Sequence, residues 1–300
     1  MYRLLRVAYV LVALGFMAFV ITREWDKLRI LEWHYRVDLL LFSIVLAAIM
    51  YALNGYGWHL ILKALGYELP AYRSVYVWIF ASLARYVPGG VWSLASRVAL
   101  AKAEGVGVAE ATVSLYIEAL LLLAASLAVG AAALISAAGF PLSLPAAIVM
   151  LGGFAFLLHP KVVALTRLIP GRIGKAFSQV SIPAPFPMLR LYGCYLSIFV
   201  LYALAFVFFV DSVSPLPLQN WVLVGASMPL AFFAGFIIVF APGGIGVRES
   251  ALYLLLSPYL SGPEALLISV GSRLWFMAAE AVTVGVCALY ARAAPRSPGN

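Results

Sequence analysis

Seven ionisable side chains stand inside or beside apolar runs of this 300-residue chain: Arg85, Arg97, Glu118, Arg248, Glu249, Arg273 and Glu280. Charge at membrane depth is costly, and residues of this kind usually face a cavity or pair with one another. A guanidinium keeps its charge and grips phosphate in fork geometry. The arginines outnumber the acids, so the surplus favours an anionic ligand. A purely structural reading stands beside this one. Arg97 with Glu118, or Arg273 with Glu280 seven residues further along the same helix face, would make ion pairs. Glu249 in a first helical turn would satisfy the helix dipole without any further role.

Two glycine- and proline-rich breaks lie among these residues. One is Arg85-Tyr86-Val87-Pro88-Gly89-Gly90; the other is Pro242-Gly243-Gly244-Ile245-Gly246, which leads into Arg248 and Glu249. Proline removes a backbone donor and disfavours helix in the residue before it, and paired glycines supply unusual dihedrals. Helices must stop at both places. The helix after each break would start near Val91 and Val247, with free N–H groups and a positive dipole end. Two such starts aimed at one chamber would suit phosphate or carboxylate. The plainer alternative is that each break only lets a hairpin fold.

The elements that must position these residues are membrane helices. The chain is 65% hydrophobic and 11% charged, with a mean hydropathy of +1.03. Too little charge remains to cover a soluble domain. Apolar segments fall at 7–22, 38–62, 74–103 (interrupted), 110–136, 142–159, 189–211, 219–257 (interrupted) and 264–290. The run at 7–22 is read as a retained first helix, not a signal peptide. The arm from Gly246 to Ser257 is too short for a hydrocarbon core of about 30 Å at about 1.5 Å per residue. The interrupted segments are therefore read as re-entrant hairpins.

The expected fold is all-α: a polytopic membrane protein with about six full spans and two re-entrant helical hairpins. The loop at 160–190 carries Lys161, Arg167, Arg172, Lys175 and Arg190 and no acid. The positive-inside rule puts it, and both chain ends, in the cytoplasm. The two hairpins then open from opposite faces. This predicts an inverted repeat: residues 1–137 with hairpin 74–103, residues 138–293 with hairpin 219–257, and a short cytoplasmic tail at 294–300. Broken segments at matching positions of inverted halves mark transporters. The loop at 23–37 reads as a helix on the membrane surface.

The net charge of +8 fits topology and anionic lipid better than nucleic acid. Cys194 and Cys287 sit within apolar runs and imply no disulfide framework. His34, His59 and His159 are scattered, so no metal site is expected. Trp25, Trp33, Trp58, Trp78, Trp92 and Trp221 fit interfacial anchoring, and Trp92 beside the first break could also line a cavity. No nucleophile elbow or phosphate-binding loop with its lysine occurs. A transporter is expected rather than an enzyme, with no cofactor.

Arg85 through Gly90, then Arg97, Glu118, the Pro-Gly-Gly-x-Gly-x-Arg-Glu run ending at Glu249, and Arg273 together resemble the lysylphosphatidylglycerol synthase transmembrane-region family. The resemblance covers essentially the whole chain. It implies a lipid-translocating domain built around two re-entrant hairpins, in the stand-alone form without the family's soluble aminoacyltransferase. Substrate binding would then fall to Arg85, Pro88, Gly89, Gly90, Arg97, Glu118, Pro242, Gly243, Gly244, Gly246, Arg248, Glu249, Arg273 and Glu280. Glu118 and Glu280 are candidates for proton coupling or cargo release.

The resulting expectation is a flippase in a prokaryotic cytoplasmic (inner) membrane, moving an anionic phospholipid or polyprenyl-phosphate-linked lipid through a central polar cavity. A transporter or channel for a small soluble anion is the first alternative. A non-transporting partner of a lipid or glycan synthase is the second. Besides a membrane lipid with an anionic headgroup, a second copy of the chain and such a synthase remain in play as partners.

Overall fold

The computed structural model describes residues 36–86, 92–137, 183–237 and 246–293, together with positions 148, 152 and 180. The expected helix at 7–22, that at 142–159 apart from positions 148 and 152, the surface helix within 23–35, and the six residues Pro88, Gly89, Gly90, Pro242, Gly243 and Gly244 lie outside that set. Among the described residues all regular structure is helical. We number these helices α1 (Val37–Ala64), α2 (Ala71–Leu83), α3 (Trp92–Ala103), α4 (Val108–Ala137), α5 (Pro185–Val213), α6 (Trp221–Ile237), α7 (Val247–Leu256) and α8 (Gly262–Ala293). Short 3-10 turns at Ala84–Tyr86 and Leu218–Asn220 extend α2 and precede α6.

Local chemistry sets the helix ends. Asp38 occupies the first turn of α1 and Lys63 the last, each complementing the dipole. Pro185 opens α5, where its missing N–H costs nothing. At the start of α8, Glu264 Oε2 accepts the Ser261 backbone N–H at 2.9 Å, an acid three residues into the helix reaching back to its cap. Gly246 has φ of 85° just before α7, a left-handed conformation that favours glycine. The Glu249 carboxylate accepts its N–H at 2.6 Å.

Five helical stretches are long and apolar enough to cross a membrane: Val37–Ala64, Val108–Ser136, Phe186–Val213, Leu218–Ile237 and Gly262–Tyr290. The chain is an all-α polytopic membrane protein. Its outward side chains agree, since Val45, Ile49, Val200, Leu254, Val282 and Val286 are all exposed. Such a surface is stable only against lipid.

The two interrupted segments behave alike in one respect and differ in another. The arms α2 and α3 pack on each other, as do α6 and α7. At about 1.5 Å per residue, α2, α3 and α7 reach only about 20 Å or less. The stretch Leu218–Ile237, by contrast, has the length of a span. The second segment thus joins one long arm to one short arm, which the sequence reading did not distinguish.

The packing falls into two matching sets. α1 lies on α2 as α5 lies on α6; α3 on α4 as α7 on α8; α4 on α5 as α8 on α1; α4 on α6 as α8 on α2; and α1 on α4 as α5 on α8. α1 and α5 also pack extensively on each other. Exchanging α1–α4 with α5–α8 leaves the pattern unchanged. Close approach of the α1–α2 and α5–α6 pairs depends on small residues. A Cβ on Gly55 would meet the Val75 Cα at 3.1 Å, and one on Gly225 would meet Val207 Cγ2 at 2.9 Å and the Ala203 carbonyl oxygen at 3.2 Å.

Gly225→Val should therefore destabilise the protein by about 1–3 kcal/mol through overpacking. Gly285→Ala, where an added Cβ meets nothing within 4 Å, should be neutral or stabilising. Thermal unfolding of both variants in detergent measures the contrast, and equal melting temperatures would contradict it.

Candidate anion site at the broken helices

Hydrocarbon cannot solvate an isolated carboxylate, so each buried acid must find a cation. All three do. Glu118 on α4 pairs with Arg97 on α3. Glu249 on α7 pairs with Arg273 on α8. Glu280 on α8 lies 3.4 Å from Arg85 in the 3-10 turn after α2.

The Arg97–Glu118 pair anticipated from sequence is present. Arg273 and Glu280 do not pair with each other. Seven residues along a helix is two turns, about 10 Å, whereas neighbouring helices bring opposite charges into contact. Glu249 therefore does more than complement the dipole: one oxygen caps Gly246 and the other holds Arg273.

The two pairs that bridge a short arm to the next long helix are related by the exchange of halves, with the charges swapped. In the first half the arginine is on the short arm; in the second it is on the long helix. Their surroundings also differ. The Arg97 and Glu118 side chains are 9% and 5% exposed. Trp78 Nε1 donates to Glu118 at 2.6 Å, and the guanidinium lies 5.1 Å from the centre of the Trp78 ring. This pair is sealed. The Arg273 side chain is 39% exposed while Glu249 is buried, so here the cation faces outward and the acid inward.

Around Glu280 a denser cluster forms. Tyr51 and Tyr86 each donate a hydroxyl to it at 2.6 Å. Arg85 also donates to the Tyr51 oxygen at 2.7 Å and to the Ser82 carbonyl at 2.9 Å. The Arg85 and Arg248 guanidinium carbons lie 6.0 and 5.8 Å from the centre of one ring, that of Phe276. Both arginines and Arg273 act electrostatically on the Tyr202 hydroxyl. These three cations belong to one neighbourhood, and Arg97 connects to it through the Trp78 ring, which packs edge-on against Tyr51.

Arg248 is the exception to the pairing rule. Its Nη2 donates to the Tyr202 hydroxyl and approaches Met228 Sδ at 3.1 Å. No carboxylate among the described residues lies within ion-pair distance of it. Its Nε is buried without a hydrogen-bond partner, and so is Nη2 of Arg273. A buried donor left unmet costs about 1–3 kcal/mol. Two such donors on neighbouring arginines leave acceptor positions open.

A family described as the lysylphosphatidylglycerol synthase TM region matches residues 4–279. The chain belongs to this family. The lysylphosphatidylglycerol synthase TM-region match extends over all eight described helices except the last turns of α8. No curated protein and no solved structure matches.

For this family member, sequence reasoning picked the buried charges among the described residues except Asp211, but missed the aromatic groups that hold them. Tyr51, Tyr86, Tyr202 and Phe276 carry no pattern of their own in an apolar run. Two tryptophans were misread as interfacial anchors. Trp58 is fully buried and donates to Ser114 Oγ at 2.9 Å, and Trp78 is buried against Glu118. Cys194 and Cys287 are free thiols packed at the edges of the two apolar cores.

Glu118→Gln should leave Arg97 buried without its counter-charge, at a cost of about 3–5 kcal/mol. The double variant Arg97→Met, Glu118→Leu should recover most of that loss, because it removes both desolvation costs. Melting temperatures and monodispersity in detergent provide the readout. A double variant as unstable as the single one would contradict the sealed-pair assignment.

Proposed function

We propose that the protein is a lipid flippase, carrying an anionic lipid headgroup between leaflets along the arginine cluster at the broken helices. The observation that carries this reading is Arg248: a cation without a carboxylate, set beside Arg273 and Arg85, with unmet donors on two of the three. Membership of a lipid-associated membrane family supports the choice of cargo. Headgroup crossing is the slow step of lipid exchange, since a bare charge in hydrocarbon costs several kcal/mol or more. Fixed guanidinium groups at depth lower that barrier while the lipid tails stay in the bilayer.

In this reading the α1–α4 and α5–α8 halves are inverted repeats with hairpins opening from opposite faces. The matched packing sets and the charge-swapped ion pairs support the repeat. The Lys/Arg distribution supports cytoplasmic ends in a prokaryotic inner membrane. The Arg97–Glu118 pair is a structural lock, and the Arg85, Arg248 and Arg273 group does the binding. The protein acts as a transporter and not as an enzyme, and a lipid or glycan synthase is a fitting partner.

Reconstitution into vesicles with a fluorescent phospholipid, followed by chemical quenching of the outer leaflet, tests the proposal. Wild-type protein should accelerate exchange over protein-free vesicles. Arg248→Ala and Arg273→Ala should each slow it by about tenfold or more, the equivalent of losing one charge-assisted hydrogen bond in the rate-limiting state. Wild type and both variants exchanging lipid at the protein-free rate would sink the idea. A parallel flux assay with a soluble anion separates lipid transport from ion transport.

A further inference from the structure

The glutamates paired with arginines differ in what their partners can do. Glu118 accepts from the Arg97 guanidinium and from Trp78 Nε1. Glu249 accepts from the Arg273 guanidinium and from the Gly246 backbone N–H. All four of those partners only donate, so they satisfy a carboxylate and oppose a carboxylic acid. The Tyr195 hydroxyl lies near Glu118 but bonds to no described group. Glu280 is held differently. Its hydrogen bonds come from two neutral hydroxyls, Tyr51 to Oε1 and Tyr86 to Oε2, each at 2.6 Å. Arg85 stands 3.4 Å away and directs its bonds to the Tyr51 oxygen and the Ser82 carbonyl.

We propose that Glu280 is a proton-binding site, loaded through Tyr86 when an anion engages Arg85. The inference rests on the flippase reading and adds a second, co-bound ion to it. A hydroxyl both donates and accepts, so the tyrosine pair serves Glu280 in either protonation state. With Glu280 charged, both hydroxyls donate to it. With Glu280 protonated, the new O–H on Oε2 donates to the Tyr86 oxygen, which accepts no hydrogen bond from a described residue. Tyr51 meanwhile still donates to Oε1. The Tyr51 oxygen already accepts from Arg85, which makes Oε2 the better seat for the proton.

Burial supports this route. Glu280 and Tyr51 are buried, whereas Tyr86 is 51% exposed. Tyr86 passes its hydroxyl proton to Oε2 and takes another from water, so the tyrosine ends neutral and one proton is gained in all. Among the described residues, the other charged groups around the cluster are Arg248, which shares the Phe276 ring with Arg85, Arg273, which acts on the Tyr86 hydroxyl, and Glu249, already held by Arg273 and Gly246. From α5 comes the neutral Tyr202, also beside Phe276. Without an anion, Arg85 neutralises Glu280. An anion that draws Arg85 away leaves a buried carboxylate short of its cation, and a proton removes that cost. Linkage makes the effect mutual: a proton on Glu280 frees Arg85 and strengthens anion binding by the same factor.

The test measures protons and binding rather than transport. Phosphatidylglycerol and dimethyl phosphate serve as probes, because neither titrates near neutral pH. Followed by thermal stabilisation in a non-ionic detergent, wild-type protein should bind them about tenfold more tightly at about pH 5 than at about pH 8, a coupling of about 1.4 kcal/mol. In weakly buffered solution, adding either anion should draw protons from the medium, up to about one per protein, read with a pH indicator. Glu280→Gln stands in for the loaded state and should bind tightly at both pH values while taking up none. Tyr86→Phe removes a half-exposed hydroxyl and should cut the pH effect to about twofold or less, which keeps the test decisive where the Glu280 variant does not fold.

Anion binding by wild type with no pH dependence and no proton uptake would overturn the proton site, whatever the vesicle assay gave. Conversely, proton uptake with dimethyl phosphate, and no lipid exchange, would uphold the proton site and remove the lipid from it. Binding of neither anion would overturn the proton site together with the reading it rests on.

Discussion

Charge neutrality in a medium that cannot solvate ions governs how this protein is assembled. Every glutamate at depth is bound by an arginine from a different helix. Each such pair therefore fixes the relation of two helices that apolar packing alone would leave free to slide. Lipid tails are as apolar as leucine, so burial of aliphatic side chains supplies little drive for helix association in a bilayer. Ion pairs, hydrogen bonds and close backbone contact at small residues take over that role. The broken helices are held in this way: α3 to α4 through Arg97, α7 to α8 through Glu249, and the turn after α2 to α8 through Arg85.

The two halves use the same contact with opposite polarity. Where the first half sets a cation on the short arm, the second sets an anion there. The reversal decides which side chain is left over. Arg248 and Glu249 are adjacent at the start of α7, and Glu249 is consumed by Gly246 and Arg273. Arg248 is thereby left with a tyrosine and a thioether. In the first half Arg97 meets Glu118 directly, and tryptophan rings complete its surroundings. One half is closed around its charge, and the other presents charge.

Aromatic side chains supply the surroundings that the ion pairs need. Tyr51 and Tyr86 give Glu280 two hydroxyl donors, and Phe276 offers the face of one ring to two guanidinium groups. Cation–π contact of this kind is worth about 0.5–1 kcal/mol where the cation is partly exposed, as Arg85 is, and more when desolvated. It lets cations with different partners share a small volume. In the proposed function such a cluster admits an anion without first breaking a salt bridge, because the charge it presents is not engaged by any described acid.

Much was readable from the chain alone. Apolar runs of about 20 residues and scarce charge specify membrane helices through length and solvation. Pro-Gly-Gly must end a helix whatever surrounds it, and the observed helices resume at Trp92 and Val247 as those breaks require. Most of the buried charges were equally plain, since a charge inside an apolar run cannot be hidden, although Asp211 at the end of its run was not singled out. Partner choice was not. Arg273 meets Glu249 rather than Glu280, Trp78 serves Glu118 rather than the interface, and Arg248 is left over, because each outcome depends on distances between helices remote in the chain. Spacing along one helix fixes which residues share its face, but only the packing of helices against one another decides which charges meet.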